Sequence, residues 1–307
     1  MHICGFFRNM ENNSVKWMYL LVLSLVWGSS FILIKKALLG LTPLQIGSLR
    51  ILIAAVFLLI IGFRRLKKIK KNEWKWIIAS GVLGTFIPSF LFPLAQTEID
   101  SSISSILNTI TPLMTLVFGF FIFSISFTKR QLFGLVIGFL GGVLLILQGA
   151  EVNPNQNYLY TLFILAATVC YALNLNLIKT KLQEVSSLAI AVGCFSFLMI
   201  PAFVVLLSTG FFSKEVLFST TTSLSILYVA LLGVFGTALA LLFFNKLIQV
   251  SSPVFSSSVT YFLPIVALFW GVLDGETLTL TQIMAAVFIL FGVVLANRKR
   301  KQKTAPI

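Results

Sequence analysis

Polar side chains recur at helical spacing inside two otherwise apolar stretches of this chain. In the first, Ser104, Ser105, Asn108, Thr109 and Thr111 lead to Pro112. In the second, Ser256, Ser257, Thr260 and Tyr261 lead to Pro264. Ser104, Asn108 and Thr111 fall on one face of a helix. Hydroxyls and carboxamides on one face can hydrogen-bond a small solute, or they can join neighbouring helices. Pro112 and Pro264 each lack a backbone donor, so both are helix-kink candidates that would free carbonyls beside the polar groups. A third apolar stretch carries Tyr171, Asn174 and Asn176, with Asn174 one helical turn after Tyr171. Buried asparagines are costly unless satisfied, so at least one should face an interior.

Arg50 is the one strong charge within an apolar stretch. It either snorkels to an interface or pairs with an anion, a carbonyl or a substrate. Lys35 and Lys36, near the end of another stretch, are expected to snorkel. Trp27 and Tyr171 could flank a ligand by stacking, or could pack as ordinary core aromatics. The substrate-cavity candidates are therefore Trp27, Arg50, Asn108, Thr111, Tyr171, Asn174, Thr260 and Tyr261.

Other chemistry is missing from the sequence. His2 is the single histidine, and Cys4, Cys170 and Cys194 lack metal-site or disulfide spacing. No GxxxxGK[ST], GxSxG or HExxH occurs, so neither ATP-driven nor familiar hydrolytic chemistry is expected, and no catalytic residue, metal or cofactor is assigned. Apolar-span centres carry no carboxylate, which disfavours coupling to protons through a buried acid. Glu98 and Asp100, at a turn, are the remaining candidates for such coupling.

The elements that must position these groups are membrane spans. Hydrophobic residues make up 58% of 307, charged residues 10%, and mean hydropathy is +1.01. A soluble domain of this size needs more polar surface. Apolar spans fall at 16–36, 43–63, 75–95, 101–123, 130–149, 158–178, 186–208, 224–245, 253–273 and 279–297, each long enough for a bilayer of about 30 Å. The formal charge of +14 sits in the short connections, leaving no room for a nucleic-acid-binding domain. With the N-terminus in the cytoplasm, every Lys and Arg except Lys35, Lys36, Arg50 and Lys214 falls on the cytoplasmic side. The positive-inside rule selects that orientation, with both termini inside. The first span is read as an uncleaved helix, and Met10 as an alternative native start to Met1.

The two halves of the chain resemble each other. GVLGTF from Gly81 matches GVFGTA from Gly233, an offset of 152 residues that also pairs Pro112 with Pro264 and Gly119 with Gly271. Earlier in each half the offset is 144, pairing Trp27 with Tyr171 and Lys35 with Lys179. Five spans is an odd number, so the second half enters the membrane from the opposite side. The expected fold is an all-α integral membrane protein of ten transmembrane helices in two inverted-topology five-helix repeats, 16–149 and 158–297, with cytoplasmic tails at 1–15 and 298–307. Inverted repeats of this kind belong to transporters that alternate between two open states. In the fifth span, Gly134, Gly138 and Gly142 suit close helix packing, within the chain or against a second copy in a homodimer.

The sequence resembles the EamA-type family of the drug/metabolite transporter superfamily. The matching residues are WGSSF from Trp27, Arg50, SSISSILNTITPL ending at Leu113, its second copy SSSVTYFLPI, and LDGETLTLTQIMAAVFILFGVVLANR. The resemblance implies ten helices, two EamA repeats, and export or exchange of small metabolites such as amino acids across the inner (cytoplasmic) membrane. The family usually carries a Glu after its fourth and ninth spans. Glu276 supplies the second, whereas Ser124 stands at the first, so Glu276 is expected to cap a helix or pack a loop rather than touch substrate. The runner-up is an exchanger of organic anions or phosphorylated metabolites that uses Arg50. A membrane-embedded enzyme is the most remote reading.

Overall fold

The computed structural model describes residues 2–124, 128–152, 155–217, 219–251, 255–256, 258–276 and 279–297. Among them all regular structure is helical. Eight helical spans are long and apolar enough to cross a membrane: Val15–Ala37, Pro43–Lys68, Lys71–Ala95, Ser101–Phe123, Lys129–Gln148, Tyr158–Lys181, Ser187–Ser208 and Thr220–Val250. Two shorter apolar helices, Val259–Leu273 and Leu280–Leu295, complete ten. They are numbered spans 1 to 10 in chain order. The chain is an all-helical, ten-span membrane protein. Ser257 and residues 298–307 lie outside the described residues.

The spans sit where the hydropathy places them, because each apolar run is bounded by capping or charged residues. Thr42 accepts from Gln45 N and Gln45 returns a bond to Thr42 N, a capping box with Pro43 in the first turn of span 2. Ser186 caps span 7 by accepting from Ala189 N, without a return bond. Several spans run a few residues past the expected ends, spans 2 and 8 to Lys68 and Val250, and the largest difference is at the first helix. The first helix is continuous from His2 to Ala37, so residues expected as a tail are helical. Large apolar side chains on the rim are bare: Ile60 is 79% exposed and Phe121 75%. In water such a surface would aggregate; in lipid it is the required exterior.

Three departures from straight α-helix shape the interior. Spans 3 and 8 each widen into a π-helical turn, Val82–Phe86 and Val234–Leu239. These are the matched GVLGTF and GVFGTA segments. In each a five-residue hydrogen bond replaces the usual four, from Ile87 N to Val82 O and from Ala240 N to Phe235 O. Such bulges mark functional positions often enough to direct attention there. Span 4 is broken into Ser101–Asn108 and Thr111–Phe123 by a tight turn in which Ile110 N reaches Leu107 O. Pro112 lies in the first turn of the second piece, where its missing donor costs nothing. Pro264 lies likewise in the first turn of Leu263–Leu273. The prolines therefore restart helices after a break, whereas a kink inside a continuous helix was the expectation.

Spans 5 and 10 form a closely packed pair. A Cβ on Gly292 would stand 2.4 Å from Gly138 N and 2.6 Å from Gly134 O, so only glycine permits the approach. Gly142 faces Ile110. The glycine stripe of span 5 is thus spent inside the chain.

Candidate functional site

A cavity of about 920 Å³, its open mouth included, lies among spans 1, 2, 3, 4, 6, 8 and 9. Seven of the eight sequence candidates line it: Trp27, Arg50, Asn108, Thr111, Tyr171, Asn174 and Thr260. Tyr261 does not. Its hydroxyl donates to Val293 O at 3.4 Å, tying span 9 to span 10. Residues Ser258–Tyr261 form a 3-10 turn, so position 261, one residue after Thr260, is turned about 120° away from the cavity. Ser104 and Ser105 are fully buried off the cavity, with Ser104 donating to Asp100 O at 3.1 Å. Asn176 is structural, donating to Thr115 O at 3.1 Å and so joining spans 6 and 4.

The lining is organised by the internal repeat. At the offset of 144, Trp27, Ser30 and Phe31 pair with Tyr171, Asn174 and Leu175. At 152, Gly84, Thr85, Ser89 and Phe92 pair with Gly236, Thr237, Leu241 and Phe244. Asn108 and Thr111 pair with Thr260 and Leu263 at the same offset. Every lining residue has its counterpart in the lining except Ile34 and Arg50.

Contacts across the cavity are reciprocal. Trp27 meets Phe244 edge-on at 4.7 Å between centroids, and the counterparts Tyr171 and Phe92 stack at 6.0 Å. A Cβ on Gly236 would stand 2.8 Å from Ser30 Oγ; one on Gly84 would stand 2.2 Å from Asn174 Nδ2. Reciprocal contacts of this kind are what a twofold relation between two halves generates. The glycines are required because a side chain from the opposite half presses on each π turn. The Trp27 indole Nε1 donates to Gly236 O at 2.8 Å, using a carbonyl of that turn.

Arg50 breaks the symmetry. Its repeat counterpart is Cys194, a buried residue whose thiol donates to Ile77 O at 3.1 Å. Arg50 Nε donates to Thr237 Oγ1 at 2.6 Å, and Thr237 Oγ1 donates to Leu232 O at 2.9 Å. The hydroxyl proton of Thr237 is thereby committed, so its lone pair faces the guanidinium. Among the described residues Arg50 forms no salt bridge and no carboxylate lines the cavity.

At one end of the bundle a second polar cluster joins the halves. Glu276, after span 9, accepts from the backbone N–H groups of Ser101 and Ser102, each at 3.1 Å, and from both serine hydroxyls. It caps the first helix of span 4, as a carboxylate at a helix N-terminus should. Lys35 Nζ lies 2.9 Å from Glu276 and 3.0 Å from Asp274, and Lys36 pairs with Asp274. The two lysines expected to snorkel are thus ion-paired, because the loop after span 9 folds back over span 1. Burial pushes the Glu276 carboxyl up, but the bonds from Ser101, Ser102 and Lys35 outweigh it and hold it below its usual value. For Asp274 burial is likewise outweighed, by Lys36 and Lys35. The Asp100 carboxyl is raised, by burial first and then by the negative charge of Glu276. At the opposite end Lys179, the counterpart of Lys35, donates to Ile248 O and Ser251 O at 3.3 and 2.8 Å. Ser124, the counterpart of Glu276, is a left-handed residue (φ 54°) closing span 4.

Ten spans with a cavity that both halves line, mostly apolar and set with a few polar side chains, are the architecture of a multi-pass membrane transporter. The chain belongs to the EamA-like transporter family, whose sequence model matches residues 15–147 and again 159–298. It is 24% identical over 291 residues to an uncharacterized transporter of Archaeoglobus fulgidus, covering 93% of this chain and 99% of that one. It is 26% identical over 283 residues to the uncharacterized inner membrane transporter YedA of Escherichia coli, covering 91% and 89%. It is 27% identical over 282 residues to the uncharacterized transporter YoaV of Bacillus subtilis, covering 89% and 93%. A protein of known crystal structure, 17% identical, shares the fold at a TM-score of 0.64 over 92% of this chain and 96% of its own.

Proposed function

We propose that this protein is an exporter or exchanger of small metabolites, amino acids among them, working by alternating access between two inverted halves. The observation that carries this reading is the lining of the cavity by paired positions of the two halves. In an inverted repeat, exchanging the conformations of the halves moves the same cavity from one side of the membrane to the other. The π turns and the break in span 4 lie at the cavity and supply places where helices can bend.

Placement in the inner (cytoplasmic) membrane with both termini in the cytoplasm follows from the charge distribution, and the relative YedA is named for that membrane. On that placement the Lys35–Glu276 end faces outward and the Lys179 end inward. No carboxylate lines the cavity among the described residues, which favours facilitated movement or exchange over proton coupling. The test is counterflow in proteoliposomes: labelled amino acids and small organic acids outside, unlabelled solute inside. Accumulation above protein-free liposomes supports the reading; none across a broad panel, with monodisperse protein, overturns it.

A further inference from the structure

We infer that the cavity takes a small monocarboxylate with an apolar or aromatic body, anchored at one end by Arg50. The inference rests on the carrier reading above and narrows its substrate class.

The first argument is charge. A cation held at membrane depth without a counter-charge is expensive, and proteins retain one there for a purpose. Arg50 is the one charged residue of the lining, and among the described residues no carboxylate pairs with it. The cavity therefore carries a single positive charge. A carboxylate neutralises it. A phosphate monoester brings about −1.5 to −2 at pH 7, leaving excess negative charge that no second cation of the lining meets. An organic cation is repelled.

The second argument is geometry. Thr237 holds Arg50 by Nε alone, at 2.6 Å, which fixes the guanidinium plane and leaves its two terminal nitrogens. Two parallel N–H donors match the two oxygens of a carboxylate. The neutral polar groups agree. Asn174 Oδ1 already accepts from Ser80 Oγ at 2.7 Å, whereas the Thr111 hydroxyl proton goes to Asn108 O at 2.7 Å. Asn174 therefore offers a ligand chiefly its NH₂ donors, which suit an anion better than an ammonium.

The third argument is symmetry. A cavity lined by matched pairs offers an asymmetric solute two equivalent orientations. Cys194 stands where a second arginine would restore equivalence. Arg50 therefore selects one orientation, head toward span 2 and body along the aromatic wall of Phe31, Phe92 and Phe244.

The experiment is exchange of labelled phenylpyruvate in proteoliposomes of the full chain. Unlabelled phenylacetamide, benzylamine and phenyl phosphate serve as competitors, and each is also tested as the labelled solute where it does not cross protein-free membranes. Phenylpyruvate should exchange, and each competitor should inhibit at least tenfold more weakly than a second aromatic monocarboxylate. Arg50→Gln should slow phenylpyruvate exchange at least tenfold, with Arg50→Lys recovering part of it. Thr237→Val keeps the charge but frees the guanidinium, so it should raise KM severalfold with little change in maximal rate. Faster exchange of the amine, the amide or the phosphate, or an unaltered rate in Arg50→Gln, overturns the carboxylate assignment and leaves the carrier reading standing. If no member of this panel moves while the broader counterflow panel shows exchange, the monocarboxylate assignment falls; if neither panel moves, it is the carrier reading that falls. Should Arg50→Gln fail to fold, the Thr237→Val shift and the competitor ranking decide the matter.

Discussion

Lys35 Nζ lies 2.9 Å from Glu276 Oε1, joining residues 241 positions apart in sequence. The bond links the end of span 1 to the loop after span 9, and Glu276 carries it on to the start of span 4. Elements of both halves are thus fastened at one end of the bundle, the end we assign to the outside. The equivalent Lys179 at the other end binds two backbone carbonyls and, among the described residues, reaches no carboxylate.

Glu276→Gln keeps the shape of the side chain but removes its charge. Hydrogen bonds to a charged group contribute about 1.5–3 kcal/mol each when buried, and Glu276 is only 8% exposed. The net loss should be about 2 kcal/mol, because the amide still accepts some of these bonds. A lowered unfolding midpoint in detergent, with Ser124→Ala unchanged as the control at the other end, is the expected result.

The same cluster sets a pH dependence. The carboxyls of Glu276 and Asp274 are held below their usual values of 4.5 and 3.8, so their stabilisation is complete above those values. It is lost as pH falls through the lower folded values. Asp100, raised by burial and by Glu276, works in the opposite sense and gains on acidification. Protonation of Glu276 breaks four hydrogen bonds and an ion pair, so the expected net result is a fall in stability below about pH 4.5. Unfolding midpoints measured from pH 7 to pH 3 should drop for the wild type and flatten for Glu276→Gln.

Gly84→Ala should cost about 1–3 kcal/mol, since the new methyl would overlap the Asn174 carboxamide. The repeat suggests the remedy: Ser30, the counterpart of Asn174, is smaller. Adding Asn174→Ser to Gly84→Ala should restore part of the lost stability. Additive losses in a double-mutant cycle would count against this packing.

Tyr261→Phe and Asn108→Ala separate the wall of the cavity from its surroundings. Tyr261 bonds span 10 away from the cavity, whereas Asn108 lines it. Tyr261→Phe should cost at most about 1 kcal/mol of stability and leave KM unchanged. Asn108→Ala should raise KM for whatever solute is carried. A KM shift in Tyr261→Phe would place that side chain in the transport path.

Much of this protein is legible in the sequence, because a membrane leaves few options. Backbone groups in hydrocarbon must be satisfied within the span, so apolar runs of about 20 residues become helices. Composition alone gives membrane residence, and hydropathy gives the ten spans. Offsets of 144 and 152 give the paired positions, since glycine and proline tolerate few replacements where backbones bend or approach. Seven of eight cavity candidates could be named for a related reason: a polar side chain in a span needs a polar neighbour.

Only the tertiary structure decides which polar residue faces which neighbour. It turns Tyr261 toward span 10 while Thr260 meets the cavity, a choice fixed by helix rotation that a one-residue step in sequence does not record. It commits Thr237 to Arg50, and it brings Phe92 and Phe244 to the cavity wall, where phenylalanine in an apolar run carries no distinguishing signal. It pairs Lys35 and Lys36 with Asp274 and Glu276, because the loop after span 9 folds back over span 1. Apart from the Tyr261 bond, these contacts join the two halves of the chain. Periodicity within one span sets which residues share a face; which face meets the other half depends on how ten helices pack at once.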